Sequence, residues 1–189
     1  MNRPKKYKGG TRGNFAPDLI GQNYICEYKY QKIGLDCSWM HLNISNKKVK
    51  ILGEFAYDWY TRQMIVFDFQ NAENSTGVYN VLSKVQKIVS ANLVEQSIIQ
   101  SDRGTANTSF IVKRLFDKSN NLTLSMSDVG FKHNSLIESL NGWHKDIFFK
   151  DYGDSFKTLK WREKGNLSLP VVLLLVFLMK GKNEKNKIQ

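Results

Sequence analysis

Three acidic residues of this 189-residue chain, Asp36, Asp102 and Glu138, sit in contexts that ask for a partner. Asp36 interrupts the apolar run "IGLDCSWMHL", where a buried charge is costly unless it is paired or binds a cation. Asp102 follows Ile98 and Ile99 in "SIIQSDRGTANTSF", at the point where an apolar stretch gives way to polar residues. Glu138 lies within "NSLIESLNGWHKDIFF". Carboxylate oxygens are the ligands that magnesium and manganese prefer. Two such ions about 4 Å apart activate an attacking oxygen and stabilise a leaving one in phosphodiester chemistry. Each acid also has an ordinary reading. A lone strand aspartate belongs at an edge or a bulge, Ser101-Asp102-Arg103-Gly104 has turn chemistry, and Glu138 and Lys145 fit the solvated face of a helix.

The surrounding periodicities say what would hold these residues. "KIGLDCSWMHLNI", "KVKILGEFAYDWY" and "RQMIVFDF" are joined by short polar connections, the pattern of an antiparallel meander. In "NSTGVYNVLSKVQKIVSANL", Val78, Val81, Leu82, Val85, Ile88 and Val89 recur at helical spacing, with Ser75 or Thr76 expected as N-cap. "EQSIIQS" reads as the next strand, "NTSFIVKRLF" as a short helix and "NNLTLS" as a short strand. On a 100° wheel over residues 134 to 149, Leu136, Leu140, Trp143 and Ile147 fall opposite Glu138, whereas Asn134, Asn141 and Lys145 fall on its side. The expectation is a helix that buries the Leu/Trp/Ile stripe. The order β-β-β-α-β-α-β-α predicts an α/β mixed five-stranded sheet with helices packed on it. The crossover helix would lay the fourth strand parallel to the first and bring Asp102 beside Asp36.

Charge narrows the class of partner. Lys and Arg number 28 against 17 Asp and Glu, a net +11 with pI near 9.6. That surplus favours a polyanion, nucleic acid first and an anionic membrane surface second. Cys26 and Cys37 form no Cys-x-x-Cys pair, and His41, His133 and His144 share no metal-ligand spacing, so neither a disulfide scaffold nor a structural zinc site is expected. The basic start "MNRPKKYKGGTRG" lacks the apolar core of a secretory signal. The apolar run Leu169 to Met179 is shorter than the roughly 20 residues of a membrane span. The division expected is a basic arm over 1–26, a catalytic core over 27–150 and a basic/apolar tail over 151–189.

Thirty-five residues separate Asp102 from Glu138. With that spacing the chain resembles the DDE transposases of the retroviral-integrase superfamily, and more narrowly the catalytic, second-frame (orfB-type) proteins of bacterial insertion sequences. "QSDRGTANTS" is similar to the family's H-S-D-x-G-x-x-Y-x-S stretch. "SMSDVGFKHNSLIESLNGWHK" is similar to S-M-S-x-x-G-x-x-x-D-N-A-x-x-E-S-F-x-x-x-K. "YDWYTRQMIVF" is similar to D-x-x-S-R-x-I-V-G, and "LDCSWM" stands where the family has T-D-x-T-Y. The resemblance covers roughly residues 14 to 149. It implies a ribonuclease-H-like integrase catalytic core acting in DNA transposition, by metal-dependent strand cleavage and strand transfer at element ends.

By the same resemblance Asp36, Asp102 and Glu138 are the catalytic, metal-binding triad for two Mg2+ or Mn2+ ions. Asp58 matches a separate family aspartate. Lys145, Arg103 and Asn134 are the DNA-contacting candidates. The implied partners are DNA, further copies of the chain on that DNA and an upstream-frame helix-turn-helix protein, in the nucleoid of the cytoplasm and not in a membrane. The sequence departs from the family at Leu35, Ser38, Gln100, Asn107 and His133. After residue 150, where the family continues with Y-N-x-x-R-x-H, stands a run that looks frameshifted. The alternative is therefore a catalytically inactive, truncated remnant that only binds DNA.

Overall fold

In the computed structural model, which describes residues 15–44, 47–70, 72–127 and 135–152, five strands and three helices alternate in the expected order. Strands β1 (Lys32–Ile44), β2 (Lys47–Asp58) and β3 (Gln63–Gln70) form the antiparallel meander. Helix α1 (Ser75–Ala91) crosses to β4 (Ser97–Ser101), and α2 (Phe110–Lys118) crosses to β5 (Leu122–Met126). Helix α3 (Ser135–Tyr152) follows. The sheet order is β3-β2-β1-β4-β5, with β4 parallel to both β1 and β5. The mixed sheet read from the sequence is thus the sheet that forms.

The alternation of side chains across β1 and β2 gives the sheet two cores. On one face Ile33, Leu35, Ala56 and Val66 pack under Val78, Val81, Leu82, Val85 and Val89 of α1, with Val112 and Leu115 of α2 beside them. Each fully buried Val or Leu contributes roughly 1.5–3 kcal/mol, so this apolar stripe fixes α1 on the sheet. Its N-cap is Asn74, not Ser75 or Thr76: Asn74 Oδ1 accepts from Gly77 N at 2.9 Å. Asn is as good a cap as Ser, and the helix begins one residue earlier than the hydroxyl residues suggest. On the other face Met40, Ile51, Phe55, Tyr57, Trp59 and Met64 form a second core, closed by Ile20 and Ile137.

Residues 15–31 run as irregular chain along the sheet. Leu19 N donates to Ser125 Oγ at 2.8 Å and Met126 N to Pro17 O at 3.3 Å, and Ile20 is buried. The basic residues before Phe15, and the whole tail from residue 153, lie outside the described residues, as does the apolar run Leu169 to Met179. No helix among the described residues is long and apolar enough to cross a membrane.

Helix α3 departs from its expected orientation. Trp143 is 51% exposed, whereas Ile137 is fully buried and Asn141 is 4% exposed; Leu136 and Leu140 are partly buried. The buried face is therefore turned by roughly a quarter of the wheel, away from Trp143 and towards Ile137 and Asn141. The cause is a close approach at Gly34. A Cβ there would collide with Cδ1 of Ile137 and with Nε1 of Trp59. The bare backbone of β1 at Gly34 is the socket for Ile137.

Candidate active site

Asp36 and Asp102 reach the same end of the sheet by register. The β1/β4 pairing ends at Gly34 opposite Gln100, and each aspartate stands two residues beyond that pair on its own chain segment. Glu138, in the first turn of α3, is exposed at the edge of the helix's buried face. The other two acids act on Asp36. Asp36 is pushed up from 3.8 to about 6, chiefly by burial and further by the charges of Asp102 and Glu138; the Asn141 hydrogen bond and the Cys37 backbone N–H oppose the shift. Asp36 therefore feels the charges of both other acids.

Each acid is held differently. Asn141 Nδ2 donates to Asp36 Oδ2 at 2.6 Å. The Tyr57 hydroxyl donates to Asn141 Oδ1, also at 2.6 Å. All three residues come from different elements, so the chain Tyr57–Asn141–Asp36 ties β2, α3 and β1 together at the first carboxylate. Tyr57 and Asn141 are almost fully buried, and burial with the nearby Asp36 charge pushes the Tyr57 hydroxyl far above its usual range, so it remains a donor. Asp102 is exposed and folds back on its own loop: Oδ1 accepts from Gly104 N at 2.9 Å and from Asn107 Nδ2 at 2.7 Å. "SDRG" is thus an Asx-type turn in hydrogen bonding, and it sets a carboxylate at the end of the sheet where Asp36 also stands.

The donor chemistry fits a hard divalent cation, since the neighbourhood consists of carboxylate oxygens whose mutual repulsion a cation would offset. The arrangement is open, however. Among the described residues no three His, Cys, Asp or Glu side chains are gathered closely enough to hold an ion. The acids expected from the sequence to hold two ions are splayed here, and the Asp102 carboxylate accepts from Gly104 and Asn107.

Asp58 is excluded from this set. It is fully buried, and it accepts from Tyr30 N at 2.8 Å, Thr61 N at 3.2 Å and Thr61 Oγ1 at 2.7 Å. It pins the β2–β3 turn to the start of β1, opposite Ile33. Arg103 lies with its guanidinium 5.0 Å from the Phe15 ring centroid. Asn134 lies outside the described residues, as does the side chain of Lys145.

Three residues near the site were not singled out by sequence reasoning. Tyr57 holds Asn141; its signal was only its alternation into the buried face of β2. Glu54 is 1% exposed, faces Cys37 and Asp68 across the strands, and leaves Oε2 without a hydrogen-bond partner. Burial first, then Asp36, Glu73, Asp102 and Asp68, push Glu54 up to about 8. Burial and the same acidic surroundings, Glu54 foremost, push the Cys37 thiol up to about 12, so it stays protonated. Glu73 Oε1 lies 3.5 Å from where a Gly104 Cβ would stand, beside the Asp102 loop.

This architecture is the ribonuclease-H-like fold of an integrase catalytic core. The HTLV-2 integrase catalytic core domain in complex with magnesium, in its dimeric form, superposes with a TM-score of 0.52 at 18% identity over 81% of this chain and 86% of that one. A chain of the simian T-cell lymphotropic virus intasome in complex with PP2A regulatory subunit B56 gamma superposes with a TM-score of 0.55 at 17% identity, over 79% of this chain. The present chain spans 47% of that chain's length. No protein-family model matches the sequence, and no curated protein does. At these identities the similarity is one of fold.

Proposed function

We propose that this chain is a DDE-type DNA transposase core, of the kind found in the second-frame proteins of insertion sequences, which cleaves DNA strands and joins them to a target. The observation that supports this reading is the register that carries Asp36 and Asp102 two residues beyond the Gly34–Gln100 pair, with the charges of Asp102 and of Glu138 in α3 both felt at Asp36. Asp36 and Asp102 would hold a shared ion and Glu138 a further one. Bound magnesium or manganese would polarise the attacking and leaving oxygens of the phosphodiester. The protein's own part is placement: Asn141 fixes the rotamer of Asp36, Tyr57 fixes Asn141, and the surplus of cations draws the polyanion in. Lys145, Arg103 and Asn134 are proposed to contact the DNA. Assembly of several copies on DNA, with a helix-turn-helix protein reading the element ends, belongs to the same proposal.

Purified protein, short element-end duplexes and Mg2+ or Mn2+ provide the test. Wild-type nicking well above that of Asp102→Ala and Glu138→Ala supports the reading; equal nicking by all three sinks it. The engagement of Asp102 by Gly104 and Asn107 favours a second reading, a fold that binds DNA without cutting it. That reading expects salt-sensitive binding and no metal-dependent cleavage.

A further inference from the structure

The first two strands outrun the rest of the sheet. The pairing of β1 with β4 ends at Gly34, and that of β2 with β3 ends at Leu52, yet β1 and β2 stay paired out to Ile44 and Lys47. Beyond the carboxylates the sheet therefore narrows to a two-stranded ribbon. Its two faces differ. One carries Met40 and Ile51, each 1% exposed and part of the core. The other carries Trp39, His41, Lys48 and Lys50, all exposed. The register places these four on one face, with His41 opposite Lys50 and Trp39 diagonal to it. The Lys50 ammonium stands 4.0 Å from the Trp39 ring centroid, and the indole remains 37% exposed. Between Ser38 and Gly53 the sequence holds three lysines and no acid.

An exposed indole flanked by cations, on a surface without acids, has the chemistry of a platform for an unpaired nucleic-acid strand: bases stack on the ring and phosphates meet the ammonium groups. Side chains alternate along β1, so Trp39 and His41 share the face of Leu35 and stand on the side of the sheet opposite Asp36 and Met40. We infer that the outer face of the β1–β2 ribbon, Trp39 with His41, Lys48 and Lys50, binds single-stranded DNA. The inference rests on the DNA-processing reading and adds to it an arm, on the face away from Asp36, that binds an unpaired strand.

The test measures fluorescence anisotropy of a labelled single-stranded 12-mer and of its duplex across a salt series, in metal-free buffer. Full-length wild-type protein is compared with Trp39→Ala, Trp39→Phe, the pair Lys48→Ala/Lys50→Ala, and Asp102→Ala, each checked for an unchanged melting curve. Trp39→Ala should weaken single-strand binding about tenfold, with Trp39→Phe retaining most of it. The double lysine variant should lower the single-strand salt slope by about 1.4. Wild-type affinity and slope in both ribbon variants, a loss confined to the duplex, or a wild-type protein that binds no single strand would each overturn the inference. Asp102→Ala separates the two claims. A ribbon effect together with cleavage indifferent to Asp102 removes the catalytic reading and keeps the arm, whereas Asp102-dependent cleavage with unaltered ribbon variants removes the arm alone.

Discussion

Asn141 and Asp36, 105 positions apart in sequence, are joined by a hydrogen bond of 2.6 Å, with the Tyr57 hydroxyl behind it. A carboxylate that accepts from a fixed amide has a fixed rotamer, and that amide is fixed because its own oxygen is held. Tyr57→Phe removes the outer donor and leaves Asn141 Oδ1 buried and unmet, a cost of about 1–3 kcal/mol. The expected outcome is a lower melting temperature and a reduced cleavage rate with DNA affinity unchanged. Asn141→Ala should lower the rate further and move Asp36 higher still, because the Asn141 hydrogen bond is what opposes its upward shift. Single-turnover rates and the pH profile of each variant check this. Wild-type rates in both would show that Asp36 needs no such support.

Gly34→Ala tests how α3 is placed. The added methyl meets Cδ1 of Ile137 and the indole of Trp59, both inside the core. Overpacking of this kind costs about 1–3 kcal/mol, and here it also pushes Asn141 and Glu138 away from Asp36. A thermal melt should show the loss of stability, and the double variant Gly34→Ala/Ile137→Ala should recover part of it. No recovery would mean that the helix is positioned elsewhere.

The strands and α1 were legible because their signals are local. Alternation marks β1 to β3, and the Val/Leu spacing of α1 leaves only one face to bury. The placing of Asp36 and Asp102 at the same end of the sheet followed from topology, since a helix between β3 and β4 returns β4 parallel to β1. Helix α3 was misjudged at Trp143 because its rotation is set by a partner that no helical wheel contains, the missing side chain of Gly34. The wheel did place Asn141 on the Glu138 side, but its bond to Asp36 depends on Tyr57, in a strand more than 80 residues away. Asp102 is a turn residue in its hydrogen bonds, and its position just beyond β4 is the one the proposed site needs.

Glu54 makes stability depend on pH without entering the proposed chemistry. Its carboxyl is buried beside other acids and pushed up to about 8 from 4.5. A folded value above the unfolded one means that the native state binds more protons between the two, so stability falls as pH rises through that window. Below about pH 4.5 the group is neutral in both states and has no effect. Glu54→Gln keeps the shape and removes the titration. The variant should match wild type near pH 4 and exceed it increasingly towards pH 9, by a few kcal/mol at most. Urea midpoints at pH 4, 6.5 and 9 measure this; parallel profiles would place the ionisation elsewhere.

Asp36 obeys the same sign in a lower window, and there an ion reverses it. With a folded value of about 6 against 3.8, its ionisation opposes folding by up to about 3 kcal/mol once pH exceeds 6. Asp36→Asn should therefore be more stable than wild type at pH 8 without metal, and equal to it below pH 4. A divalent cation at the carboxylates binds only their ionised form and offsets the repulsion that Asp102 and Glu138 exert on Asp36. Mn2+ at a hundredfold excess over its dissociation constant stabilises a single-site protein by about 2.7 kcal/mol. The melting temperature of the wild type should thus rise with Mn2+ at pH 7.5, much less at pH 5, and hardly at all in Asp36→Asn or Asp102→Asn. The metal-free gain of Asp36→Asn and its loss of the Mn2+ response must appear together, since both have one cause, an unneutralised charge at Asp36. An Mn2+ response that survives in Asp36→Asn would place the ion away from these carboxylates and end their assignment as its ligands.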